Sequence, residues 1–199
     1  MRLLTEVLEQ SKRAARADKH AAFAAEALGP AASAATVAAA ARRLSAQLLP
    51  ALSRLRWENA AKEMFWLLAL DGVHVGTRAA HQPLPCVLCG GAALADRAHL
   101  FWECPPALAV RGALQQELAR RGCAVVLERR HVWLMECPNR ALHADLWRVA
   151  CLAAVRAMNG ARTRVYTLRD KLPAGPLSTV GCMVAQGALQ ASWWPTPRR

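Results

Sequence analysis

The chain has 199 residues, with 26 Lys and Arg against 14 Asp and Glu, a net charge of +12 and a hydrophobic content of 54%. That is enough apolar material for one good core or two small ones, which excludes wholesale disorder, and no apolar stretch has the length of a membrane span. Seven cysteines are an odd number in a chain too long for a small disulfide scaffold, so a reducing, intracellular compartment is expected.

Residues 3 to 28 are expected to form a helix of good helix formers ending before Gly29 and Pro30. Leu3, Leu4, Val7 and Leu8 give it a narrow apolar face, followed mainly by alanine and charge. Such a helix has little to bury alone and is expected to lie on another surface. The first twenty residues lack the apolar core of a secretory signal; their arginines and alanines are similar to an organellar transit segment, but Glu6, Glu9 and Asp18 are not. The expected location is a nucleus or organelle matrix. Ser33 is placed to cap a second helix running to Leu49, with Pro50 as its stop. A third helix is expected over 52 to 70. Its buried stripe would be Leu52, Leu55, Met64, Leu67 and Leu68, with Glu58 and Lys62 paired outside. Trp57, Phe65 and Trp66 are large enough to anchor a neighbouring module, and Asp71-Gly72 marks a turn.

Between Pro85 and Pro105 the sequence PCVLCGGAALADRAHLFWECP places Cys86, Cys89, His99 and Cys104 within nineteen positions. Three sulfurs and an imidazole make a tetrahedral zinc set, and four protein ligands leave no open position, so the ion would be structural. Two residues between Cys86 and Cys89 let both thiolates turn toward one ion, and Gly90-Gly91 permits the tight turn behind them. Buried core cysteines are the alternative for the same residues. Phe101 and Trp102 supply apolar cover, expected to close the module against helix 52 to 70.

This pattern, C-x2-C, a short loop, His-Leu-Phe, two residues and Cys-Pro, resembles the zinc-binding region at the C-terminal side of reverse transcriptases of non-LTR retrotransposons. The resemblance extends upstream through Arg56-Trp57, Phe65-Trp66-Leu67, Leu70 to Val73 and Thr77, covering about residues 54 to 106. It implies a ligand role for Cys86, Cys89, His99 and Cys104. An acidic residue often precedes the histidine in such modules, and Asp96 is the nearest candidate. The chain has no Asp-Asp pair for a polymerase palm and nothing like an endonuclease, so the resemblance is to the tail module alone.

Farther on, a helix is expected from Pro105 to Arg121, stopped at Gly122, with Leu108, Leu114 and Leu118 buried and Arg111, Arg120 and Arg121 wet. Cys123 to Leu127 and His131 to Met135 suggest a short β-hairpin. The segment 140 to 158 has a helical period through Leu142, Leu146, Val149, Ala153 and Met158, with Asn159-Gly160 as its stop. Cys123, Cys137 and Cys151 are expected in the core. Residues 173 to 176 give a Pro/Gly linker before an apolar segment, 177 to 194, ending in Trp193-Trp194 and expected to dock on the body or a partner.

The expected architecture is thus mainly α, with an irregular CCHC zinc module and room for a short β-hairpin. It divides into a helical arm over 1-50, a helical body over 51-172 holding the zinc module (81-106), and a linker with docking segment over 173-199. Beyond residue 106 there are 14 basic and five acidic side chains. Arg120, Arg121, Arg129, Arg130, Arg148, Arg156, Arg162 and Arg164 are the candidate phosphate contacts, with Arg140, Arg169 and Lys171 extending a ridge.

An aromatic cluster beside Arg54 and Arg56 suits core packing better than base stacking. Pro85-Cys86-x2-Cys89 also matches half a nucleotide-deaminase pattern, but His74 and His81 are not followed by the glutamate that chemistry needs. No H-E-x-x-H, P-loop or dinucleotide motif is present. The expectation is a non-catalytic, zinc-containing nucleic-acid-binding protein, RNA favoured over DNA. The alternative is a structural subunit of a large ribonucleoprotein such as an organellar ribosome, with protein partners at both termini.

Overall fold

A computed structural model describes residues 2–73, 85–91 and 93–168, with side chains from residue 9 to residue 165 within those ranges. The expectations for Leu3, Leu4, Val7, Leu8, Thr77, Arg169, Lys171 and residues 173 to 194 lie outside the described residues. The described part is mainly helical and has no named strand. Seven α-helices follow in order: α1 (Arg2–Leu28), α2 (Ala34–Arg43), α3 (Leu49–Arg54), α4 (Asn59–Ala69), α5 (Pro105–Arg120), α6 (Arg129–Trp133) and α7 (Ala144–Leu168).

Gly29, at φ 82°, reverses the chain between α1 and α2. Ser33 caps α2 through its hydroxyl, which accepts from Thr36 N at 3.2 Å. Pro50 does not stop the chain's helical course. A wide turn over Leu44–Leu48, in which Leu49 N bonds Leu44 O, precedes it and hands over to α3. The register change puts Pro50 in the first turn of α3, where no amide hydrogen is needed and its ring meets no ladder carbonyl. Ser45 Oγ satisfies the carbonyls of Ala41 and Arg42, each at 3.1 Å.

The expected helix 52 to 70 is instead α3 and α4, broken at residues 55 to 58. Leu52, Met64 and Leu68 are buried as expected, while Leu67 is 41% exposed. Glu58 turns away from Lys62 and pairs with Arg156 on α7, tying the break to the helix opposite. Phe65 is fully buried, but Trp66 is 36% exposed at the surface.

The hairpin is replaced. Cys123 to Leu127 has no regular secondary structure and no strand partner among the described residues, with Val126 exposed, and the second half is α6. The local cause is a reciprocal cap: Glu128 N donates to His131 Nδ1 at 3.0 Å, while the Glu128 side chain accepts from the His131 amide. The tertiary cause is Trp133, which has 0% exposure and stacks on Phe23 of α1 with ring centroids 5.1 Å apart. Phe65 of α4 meets Phe23 edge-on at 6.1 Å.

The long helix α7 passes through Asn159-Gly160 without stopping. Ala161 and Val165 beyond it are fully buried, so packing carries the helix past a residue that local propensity would use as a terminus. Of its expected stripe, Ala153 and Met158 are buried and Leu142 and Val149 half-buried, but the covered face is wider than that stripe. Leu146 is 69% exposed, and Trp147, Cys151 and Val155 are inside. Trp147 Nε1 donates to the carbonyls of His131 and Glu136, both at 3.1 Å, which locks α7 to α6. In α5, Leu114 and Leu118 are buried as expected, while Leu108 is 41% exposed and Val110 is inside.

Gly160 is exposed, and a side chain added there meets no atom within 4 Å. Gly160→Ala is therefore expected to stabilise the fold by about 0.5–1 kcal/mol, through the lower backbone entropy of the unfolded chain. Urea unfolding at fixed metal concentration checks this. A loss of stability would mean that the glycine relieves a contact within the chain.

Candidate metal centre

Four local devices bring the donors together. Pro85 and Leu94 form an antiparallel bridge, and Cys86 N donates to Ala93 O at 2.7 Å, closing the loop that holds the first pair. Within it, a 3₁₀ turn over Val87–Cys89 brings Cys89 back beside Cys86. Gly90 and Gly91 have φ of 72° and 86°, and Gly91 N returns to Cys86 O at 2.8 Å. Any residue with a Cβ would be strained at both positions.

The second pair depends on a wide helical turn over His99–Glu103, closed by Cys104 N donating to His99 O at 2.7 Å. In an α-helix five residues advance about 140° beyond a full turn, which would point the two side chains apart. An i→i+5 turn returns the fifth residue close to the face of the first, which is what a spacing of five requires. Asp96 caps this turn: its Oδ1 accepts from His99 N at 2.7 Å, and its carbonyl accepts from Leu100 N at 3.0 Å. The nearest acidic candidate in the sequence thus positions the histidine's backbone.

The donor atoms of Cys86, Cys89, His99 and Cys104 lie within 4.8 Å of one another and could hold a metal ion. Cys86 Sγ and Cys104 Sγ are 3.8 Å apart, and Cys89 Sγ and His99 Nε2 are 3.4 Å apart. A tetrahedral ion with metal–sulfur bonds of about 2.3 Å and metal–nitrogen bonds of about 2.0 Å has edges of about 3.8 and 3.5 Å, so both separations fit. The sulfur separation is nearly twice the roughly 2.05 Å of a disulfide, and all four protein positions are filled.

The Cys86 thiol is pushed down to about 5 by a hydrogen bond from Cys104, against the opposing effect of burial and with help from the backbone amides of Leu88 and Cys89 and from His99. Cys86 and Cys104 have no exposure, His99 has 7%, and Cys89 is half-buried at the rim. Burial of this kind keeps competing protons and ligands from the sulfurs.

The module has no core of its own. Leu88, Leu100 and Phe101 enter the single buried cluster formed by α1, α4, α5 and α7. Both turns pack on α5 and α7, not chiefly on the helix before the module as expected. Arg111 of α5 lies over the Trp102 ring, 4.7 Å from its centroid.

Arg97, which the sequence patterns did not single out, is the module's link to the N-terminal helix. It is 7% exposed, donates from Nη1 to Leu68 O and from Nε to Glu26 of α1, both at 3.0 Å, and pairs with Glu26 a second time through Nη2. Its guanidinium also lies over the Phe23 ring, at 5.3 Å. A lone arginine in ADRAHLFW carries no periodic or spacing signal that marks it as buried.

The candidate phosphate contacts are dispersed over α5, α6 and α7, and most face a local acceptor. Arg120 and Arg121 share Glu117 at 2.9 and 2.8 Å. Arg129 bonds Glu103 at 2.8 Å and the Glu26 carbonyl at 3.0 Å, and Arg130 bonds Glu128 at 3.2 Å. On α7, Arg148 pairs with Asp145 at 2.5 Å, Arg156 with Glu58, and Arg162 bonds Asn159 at 2.8 Å; Arg164 is exposed. Of the other cysteines, Cys123 and Cys151 are buried as expected. Cys137 is exposed, its thiol turned to the Asn139 carbonyl at 2.9 Å.

No helix among the described residues is long and apolar enough to cross a membrane. Compared with family models, with curated proteins and with solved structures, the chain matches none of them.

Proposed function

We propose that this chain is a zinc-stapled nucleic-acid-binding protein without a catalytic role, with RNA its favoured ligand. The observation that carries the metal part is the closed set of Cys86, Cys89, His99 and Cys104, with separations suited to a tetrahedral ion. Three thiolates and one imidazole are soft, N/S donors, which select zinc over magnesium or calcium. When bound, zinc would supply a structural cross-link and no chemistry on a substrate, because the protein fills every position. The motif's resemblance to the tail module of retrotransposon reverse transcriptases supports the same assignment.

The partner follows from charge. A net +12 on 199 residues, weighted toward arginine, produces a positive field that attracts a polyanion and holds it through phosphates rather than base edges. Purified chain is expected to contain one zinc by elemental analysis and to show tetrahedral absorption when reconstituted with cobalt(II). Zinc-loaded chain should bind a labelled RNA of about 20 nucleotides with an affinity that falls steeply and linearly in log–log form as salt rises. Binding indifferent to salt, or no RNA binding at low salt, would sink the nucleic-acid part while leaving the metal centre standing.

A further inference from the structure

From Glu9 to Lys19, α1 is exposed on every side, three turns of helix without cover from the described chain. Only from His20 onward do Phe23, Ala24 and Ala27 seat the helix in the core. At about 100° per residue, Lys12, Arg13 and Arg16 fall on the same stripe as His20, Phe23 and Ala27, with Lys19 at its edge. The stripe is therefore apolar where the helix lies on the body and cationic from Lys12 to Lys19, with Glu9 on the same stripe at its outer end, paired to Lys12.

The spacing of these charges is costly in a free helix. Lys12 and Arg16 are four residues apart, and Arg16 stands three from both Arg13 and Lys19. Each like-charge neighbour destabilises a helix by about 0.2–0.5 kcal/mol, where a solvated face would alternate sign. Lys12 pairs with Glu9 at 2.9 Å, but Arg13, Arg16 and Lys19 have no ion pair among the described residues. Burial, and then the Arg16 charge, hold the His20 imidazole below its ordinary pKa. By contrast, most of the C-terminal arginines sit against carboxylates that reduce the local positive potential.

We propose that residues 12 to 19 of α1 are the phosphate-binding element of this protein, a cationic helical arm that lays Lys12, Arg13, Arg16 and Lys19 along the backbone of an RNA strand. This rests on the nucleic-acid function proposed above and names its contact surface. Neutralisation by phosphates removes the like-charge repulsion, so binding also strengthens the helix.

The test uses the full zinc-loaded chain, a labelled RNA of about 20 nucleotides and two combined variants. One carries Lys12→Gln, Arg13→Gln and Arg16→Gln; the other carries Arg148→Gln, Arg156→Gln and Arg164→Gln. The arm residues are exposed, so the first variant is expected to melt with the wild type. The arm variant should bind at least about tenfold more weakly at low salt, with the slope of log K against log salt reduced by about 2, since each single-strand phosphate contact contributes about 0.7. The α7 variant should stay within about threefold of wild type. Wild-type binding that survives in the arm variant with an unchanged slope would overturn the arm and leave the nucleic-acid function intact. A wild type that does not bind RNA would overturn both.

Discussion

Cys86→Ser is expected to lose the bound metal and, with it, the cooperative folding of the chain's centre. The serine oxygen is a poor soft-metal ligand, and it would replace a sulfur with no exposure, 3.8 Å from Cys104. A structural zinc site contributes about 10–16 kcal/mol in apparent terms at neutral pH, against a total stability of about 5–15 kcal/mol for a typical domain. The loss should be global because Leu88, Leu100 and Phe101 of the module are part of the same core as Phe23 and Phe65. For a chain of this size each kcal/mol moves the melting midpoint by about 2–4 °C, so a fall of more than about 10 °C is expected, or no cooperative transition at all. Chelator treatment of the wild type should reproduce it, with the tryptophan near-ultraviolet signal of Trp102 and Trp133 disappearing. Cys137→Ser is the control, because that thiol is exposed and outside the donor set; it should keep one ion and the wild-type melt. A Cys86→Ser protein that melts within a few degrees of wild type would reduce the four residues to ordinary core packing.

Arg97→Ala should be nearly as damaging, although no ligand is touched. Its side chain is buried and satisfies the Leu68 carbonyl while forking onto Glu26. Removing it leaves the Leu68 carbonyl with only the longer bond from Asp71 N at 3.3 Å, a carboxylate facing a hole, and no guanidinium over Phe23. Breaking a fully buried charge pair by deleting one partner costs about 3–5 kcal/mol, and the cost here falls below that range because Glu26 is 37% exposed and water reaches it. Arg97→Lys should recover part of this, because it retains the charge, but a single ammonium cannot bridge both the Glu26 oxygens and the Leu68 carbonyl. Glu26→Gln should cost less than either, since Glu26 is 37% exposed and water replaces part of what it loses. Urea midpoints measured with saturating zinc rank the three variants. If Arg97→Ala falls within about 0.5 kcal/mol of wild type, the arginine is a surface residue in solution.

The Cys/His cluster that could hold a metal was legible in the sequence because its information is local. Cys86, Cys89, His99 and Cys104 lie in one short segment, the glycines announce the turn, and donor chemistry is independent of the surrounding fold. The spacing of five between His99 and Cys104 was visible as a number, but the wide turn that makes it work was not. Helix positions were likewise readable for α1, α2 and α5, where caps and breakers stand at the ends. They were misread at Pro50 and Gly160, where a register change and the burial of Ala161 and Val165 override the breaker.

On α7 the expected stripe was too narrow, and Leu146 was wrongly placed inside. Between Ala150 and Met158 every residue but Arg156 is buried, and a helix covered on nearly all sides has no single apolar stripe to read. The valine-rich stretch before α6 looked like a strand for a related reason: β-branched composition is a preference for a pleated partner, and the described residues supply none.

The amino-acid order alone therefore determines the candidate Cys/His cluster, the helical class and the excess of positive charge, since each follows from composition or from neighbours within a few residues. Which charges are buried, paired or free is settled in three dimensions. Arg97 became a core residue because α1 brings Glu26 to it from 71 positions away, and Arg13 and Arg16 have no ion pair among the described residues because α1 continues past the body that holds its other end. Burial and pairing depend on which distant segments meet, and no local pattern encodes that meeting.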